Sequence, residues 1–214
     1  ASWGWFYYAE KLRKQKYNLD EEMLRPYFAL ENVRSGVFFL ANRLYGITFR
    51  PIVVPVYHPE VTAFEVLDAD ESHLGVLYFD FFPREGKGQG AWCGNYVEQT
   101  YRDGERVAPV VSIVANFTRP TGDNPALLTL DEVETLFHEF GHALHFLFHD
   151  VKYRGLSEVE GDFVELPSQV MENWAFNPEV LKQYAVHYRT GDVMPEALMA
   201  KIARSELFNQ GFMT

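Results

Sequence analysis

The chain has 214 residues, 47% of them hydrophobic, and a formal net charge of −11 at pH 7. It is too apolar for a disordered segment, yet no apolar run approaches the ~20 residues that a bilayer-spanning helix requires. The acidity argues against nucleic acid or an anionic membrane as a main partner; the lone Cys93 rules out an internal disulfide framework and suits a reducing, cytoplasmic compartment.

In chain order, residues 1–46 read as helical. Trp5–Lys16 is an aromatic-rich amphipathic stretch, Asp20 opens a short acidic helix interrupted by Pro26, and Glu31–Tyr45 is a long apolar helix with Gly46 at its C′ position. Residues 47–117 change character. ITFRPIVV, TAFEVLDA, HLGVLYFDFF and APVVSIVANF are β-branched and aromatic, divided by Pro, Gly and Asp, and predict a small sheet with hairpin-like connections. Between the last two lies the glycine-rich run Glu85–Gly94. It lacks the phosphate-loop pattern and leads into no helix, so Gly88, Gly90, Ala91 and Gly94 are candidates for a flap or a close backbone approach to a ligand, with a plain surface loop as the alternative.

From 129 to 214 the chain is helical again: a helix opening at Thr129, a segment near Asp162–Phe176, then Pro178–Thr190 and Pro195–Asn209. Ser205–Thr214 carries no cap or charged tail, as in an interrupted chain. Helix, small sheet, helix is the order of an α+β, predominantly helical fold in one unit.

The helix from Thr129 contains His138-Glu139-Phe140-Gly141-His142, the HExxH spacing that sets two imidazoles and a carboxylate on one side of a helix. With only seven histidines, a shuffle of this composition would still produce the pattern in roughly two chains in a hundred. Its context decides the matter. Thr129 and Glu132 form a capping-box pair, with Leu128 and Val133 as a hydrophobic staple. At about 100° per residue, Val133, Leu136, Phe140, Leu144 and Leu147 share one face, and His138, His142, His145 and His149 the opposite one. A mid-helix Gly141, which costs ~1 kcal/mol relative to Ala, predicts a close neighbour.

A catalytic zinc takes three protein ligands and keeps a fourth position open. The spacing leaves Glu158, Glu160, Asp162, Glu165 and Glu172 open as the third. A structural alternative makes Asp162 an N-cap with Glu165 as its capping-box partner. Ligating imidazoles are usually oriented by a further carboxylate or neighbour, for which Asp162, Glu172 and His145 are candidates.

ETLFHEFGHALH, DFVELPSQVMENWA, GAWCGN, ANFTRPTGDNPALLTLDEV, ELFNQGF and the N-terminal WFYYAEKLRKQKYNLDEEMLRPYFALENVRSGVFFLANRLYGITF together resemble the thimet oligopeptidase, oligopeptidase A and peptidyl-dipeptidase family of zinc peptidases. The resemblance covers essentially the whole chain. It implies a zincin-like catalytic core within a larger two-lobed protein, one Zn2+ per chain held by His138, His142 and Glu165, and Glu139 as general base. It further implies hydrolysis of short peptides, by oligopeptidase or dipeptidyl carboxypeptidase action. Two features depart from the family. Leu156–Gly161 replaces a longer Ser-Gly-Thr loop, and nothing matches the family's Tyr- and His-rich C-terminal segment or its long N-terminal helical portion. The competing expectation is therefore a catalytic-core portion that binds zinc or peptide without turnover, the remainder of the parent polypeptide completing the site.

Overall fold

The computed structural model describes residues 20–206 together with Gly4, Tyr7, Tyr8, Lys11 and Leu12. The helix expected over Trp5–Lys16 and the end of that expected over Pro195–Asn209 therefore lie largely outside the described residues. A short helix α1 (Glu21–Leu24), capped by Asp20, gives way to a 3-10 turn at Arg25–Tyr27, where Pro26 removes the backbone donor an α-helix would need. Helix α2 (Leu30–Tyr45) stops at Gly46, whose φ of 78° is the left-handed cap conformation that glycine adopts freely.

Seven strands follow: β1 (Thr48–Ile52), β2 (Thr62–Leu67), β3 (His73–Asp80), β4 (Trp92–Val97), β5 (Thr100–Arg102), β6 (Glu105–Val107) and β7 (Val110–Val114). Five make a sheet in the order β1-β2-β3-β7-β4, antiparallel except where β7 runs parallel to β3. The first two connections are hairpin-like, as expected; the third is a crossover that carries β4 and the β5–β6 hairpin.

The strands differ from expectation in two places. β4 begins inside the glycine-rich run, and β5–β6 was not anticipated. The hairpin turns through Asp103 and Gly104, both at positive φ, which is the Asp-Gly signature of a tight two-residue turn.

Four helices complete the fold: α3 (Leu130–Leu147), α4 (Leu166–Ala175), α5 (Pro178–Tyr184) and α6 (Glu196–Glu206). The first begins as the sequence predicts. The Thr129 side chain accepts from the Glu132 amide at 3.1 Å, and Glu132 accepts from the Thr129 amide at 2.9 Å. Glu132 also accepts from the Thr118 amide at 2.6 Å, so the cap ties the helix to the chain leaving β7.

Val133, Leu136, Phe140, Leu144 and Leu147 are all buried against the sheet side. There Phe140 meets Phe38 and Phe49, which stack on each other at 4.0 Å. The histidine face is partly buried, and α4 packs against its edge at the buried Gly141. An ideal Cβ on Gly141 would lie 2.6 Å from both Pro167 O and Ser168 Cα, so the two helices touch backbone to backbone at this point. That contact accounts for a glycine in a helix interior.

Helix α4 starts at Leu166, with Pro167 in its first turn where no donor is lost. The capping pair of Asp162 and Glu165 is not formed; Glu165 itself holds the N-cap position. Helix α5 ends six residues short of Thr190, where His187–Asp192 folds into a turn closed by the Val186–Val193 bridge. None of the described helices is long and apolar enough to cross a membrane.

Candidate metal centre

Helix α3 presents His138 and His142 one turn apart, with ring centroids 5.0 Å apart and nearly perpendicular planes. The N-terminus of α4 brings Glu165 to them, with Oε2 at 3.2 Å from His138 Nε2 and 3.1 Å from His142 Nε2. Each residue of this group could offer one ligand atom, and these atoms all lie within 4.8 Å of one another. Donors about 2.0–2.1 Å from a common centre at tetrahedral angles stand about 3.3 Å apart, so two edges of the triangle already match a zinc site. Two imidazoles and one carboxylate are also the donor set that zinc favours and that leaves a fourth position free.

Several groups orient the three donors. His138 Nδ1 lies 2.5 Å from Glu172 Oε1. A carboxylate only accepts, so the ring donates from Nδ1 and turns the lone pair of Nε2 toward Glu165. The fully buried Ser168 hydroxyl lies 2.9 Å from Glu165 Oε2 and 2.8 Å from the Glu165 carbonyl. Hydrogen bonding from Ser168, aided by the two histidines, holds the Glu165 carboxyl below its ordinary range despite partial burial. Burial pushes His142 down, which keeps its imidazole neutral and able to ligate. Glu172→Gln is accordingly expected to weaken zinc binding about 10–100-fold in a competition titration, with the unfolding midpoint nearly unchanged. Unaltered affinity would show that Glu172 orients nothing.

Glu139 is buried between the cluster and β4, close enough to feel the charges of His138 and Glu165 on one side and to act on Cys93 on the other. It is 6% exposed, and its Oε2 has no hydrogen-bond partner. Burial, then the charge of Glu165, raises its pKa to about 7 against the opposing pull of His138. Cys93 on β4 sits in the same electrostatic environment, and burial with the nearby Glu139 pushes its thiol well above the ordinary value. A raised thiol of this kind is disfavoured as a nucleophile, since the thiolate is the reactive form.

The other candidates separate. Glu172 joins the centre. Asp162 lies exposed in the turn before α4, and no hydrogen bond or ion pair links it to either histidine. His145 is partly buried with its ring against His149 at 4.8 Å, and it stands outside the three-residue cluster. Glu158 and Glu160 are exposed. Ser168, unremarked in the sequence, carried a local signal: it lies three residues after Glu165, on the same helix face.

The glycine-rich run is held firmly. Asn116 Nδ2 donates to the carbonyls of Gly88 and Gly90 at 2.8 and 2.7 Å. Lys87, 3% exposed, donates to Asp80 Oδ1 at 2.9 Å, to Phe82 O at 2.9 Å and to Ala115 O at 2.5 Å. These contacts anchor Lys87, Gly88 and Gly90 of the run. Ala91 packs against the core, and Gly94 lies within β4, where an added Cβ would meet nothing within 4 Å. Strand β7 is interior to the sheet, with β3 on one side and β4 on the other. The outer edge is that of β4 itself, beside Glu139.

Comparison with known proteins adds what geometry cannot. The chain matches the family described as Peptidase family M3 over residues 1–214. It is 47% identical over 215 residues to a dipeptidyl carboxypeptidase of Salmonella typhimurium, covering 99% of this chain and 31% of the relative. It is 42% identical over 205 residues to oligopeptidase A of Escherichia coli, covering 94% of this chain and 30% of that protein. An organellar oligopeptidase A of Arabidopsis thaliana is 40% identical over 220 residues, covering 98% of this chain and 28% of the relative. The chain thus spans about a third of the length of these relatives.

Proposed function

The chain belongs to Peptidase family M3, and on that premise we propose that it is the zincin-like catalytic core of a zinc peptidase acting on short peptides, within a larger polypeptide that completes the active site. The observation that carries this reading is the convergence of His138 Nε2, His142 Nε2 and Glu165 Oε2 beside a buried, unpaired Glu139 carboxylate.

His138, His142 and Glu165 would hold one zinc ion. When bound, zinc supplies a Lewis acid that polarises a peptide carbonyl and makes water a stronger nucleophile near neutral pH. Glu139 accepts the proton of the attacking water and returns it to the leaving amine. In the metal-free fold, burial raises this carboxyl to about 7. Glu172 and Ser168 fix the orientation of the ligands, and the free edge of β4 pairs with an extended substrate backbone as a further strand would.

The direct test is turnover of a quenched-fluorescent peptide, measured with the native metal, after chelation, and after zinc is restored. Hydrolysis should vanish on chelation and return with about one zinc per chain. Hydrolysis indifferent to chelation defeats the proposal, whereas stoichiometric zinc without hydrolysis favours a chain that binds without turning over.

A further inference from the structure

A cavity of about 310 Å³ lies between the C-terminal half of α3, the end of β4 and the 157–164 segment, and His142 forms part of its wall. It therefore opens beside the metal centre. Phe146 and Val164 give it apolar walls, and Glu98 and Glu158 line it with carboxylates. Asn95 Oδ1 and His149 Nε2, from two further lining residues, are buried without a hydrogen-bond partner. Buried polar atoms are rarely left unpaired, and two in one cavity mark a place where a ligand's polar group belongs.

Hydrogen bonds tether two of the segments that shape this cavity. The buried Gln99 accepts from the Val151 amide at 2.7 Å, tying the segment after α3 to the end of β4 beside Glu98. The amides of Phe163 and Val164 donate to the Glu160 carbonyl at 2.9 and 3.1 Å, which closes the turn carrying the far wall. Among the described residues, Arg106 reaches the His149 carbonyl at 3.5 Å, and Arg154 contacts a single Glu98 oxygen at 3.1 Å with its side chain 78% exposed. An ion pair that open contributes little, so a cation entering the cavity competes with it readily.

From this arrangement we infer that the cavity is a specificity subsite for a basic substrate residue, arginine or lysine. The apolar walls take the methylene stem, while Glu98 and Glu158 accept hydrogen bonds from the cationic head. An acidic side chain would meet two carboxylates and gain no donor in compensation, so the same groups that attract one class of substrate reject another. The inference rests on the peptidase reading above and adds to it a preference that neither the metal ligands nor the β4 edge can supply.

The complete gene product would be assayed with quenched peptides identical except for Arg, Ala or Glu at each of the three residues on either side of the cleaved bond. At one position, kcat/KM should be about tenfold or more higher for Arg than for Ala, and lowest for Glu. The double variant Glu98→Gln, Glu158→Gln should bring the Arg-to-Ala ratio near one with zinc content unchanged. Glu158→Lys should shift the preference toward the Glu peptide, which a merely structural role would not do. Calorimetric binding of the Arg peptide to the Glu139→Gln protein, with and without the two glutamine substitutions, gives a readout independent of turnover. No Arg preference at any position, or a preference untouched by the double variant, overturns the inference. Failure to cleave any peptide overturns the peptidase reading instead, and the binding comparison then decides the cavity's preference by itself.

Discussion

Glu139→Gln should retain zinc at wild-type stoichiometry while lowering kcat/KM for peptide hydrolysis by about 10³-fold, the scale expected when a positioned general base is removed. The substitution keeps the shape of a side chain that is 6% exposed and touches none of the ligand atoms directly. It should also have a second, opposite effect. In the metal-free fold the carboxyl is raised from 4.5 to about 7. The folded state thus holds that proton more tightly than the unfolded chain, and stability is lost as pH rises from below 4.5 through 7. At pH 8 the ionised, unpaired carboxylate costs about 2–3 kcal/mol. The metal-free Glu139→Gln protein should therefore melt higher than metal-free wild type at pH 8, with the advantage shrinking toward pH 5. Retained hydrolysis removes Glu139 from the reaction; a lower melting temperature at pH 8 refutes the electrostatic account of its burial.

Gly141→Ala tests the other half of the centre, the spacing between its two helices. In an ordinary helix interior the change would stabilise by ~1 kcal/mol. Here the new methyl would be driven to 2.6 Å from Pro167 O and Ser168 Cα, and backbone cannot swing aside as a side-chain tip can. Helix α4 must move away from α3, taking Glu165 with it. The expected result is a net loss of about 1–3 kcal/mol on denaturant unfolding and at least a tenfold weaker zinc affinity. Gly161→Ala, at a position where an added Cβ meets nothing within 4 Å, should change stability by no more than about 0.5 kcal/mol. Wild-type zinc affinity in Gly141→Ala would mean that the helix contact does not set the ligand spacing.

What was legible in the sequence was mostly what local chemistry dictates. Thr129 and Glu132 predicted their reciprocal cap, the apolar stripe predicted the buried face of α3, and Gly141 predicted a close neighbour. The candidate third ligand was different. Spacing left five acids open, since the choice depends on how α4 docks, and only the family resemblance pointed to Glu165. β4 was hidden because WCGNYV follows a glycine cluster and lacks clean alternation; its pairing with β7 overrides its weak intrinsic preference. The histidine stripe was legible as the face opposite the apolar one, but the packing of α4 against its edge at Gly141 was not, since it depends on how the two helices dock. Of the carboxylates proposed to support the ligands, Glu172 meets His138 and Asp162 does not. Nothing in the spacing distinguishes them before the turn at 161–165 is known.

The two helices that meet at Gly141 also bear on the sequence of events during folding. His138, His142, Glu165 and Glu172 all come from a short stretch of chain, joined by one connection and packed directly on each other, whereas the sheet requires β3 to wait for β7 across an intervening hairpin. Contacts close along the chain carry a small loop-closure cost and form early; the parallel pairing of distant strands is slow. The ligand triangle can thus assemble on a helical hairpin before the sheet beneath it is complete. Metal captured at that stage would brace α3 and α4 while Glu139 still faced water, and the arrival of β4 would then seal the carboxylate into the interior.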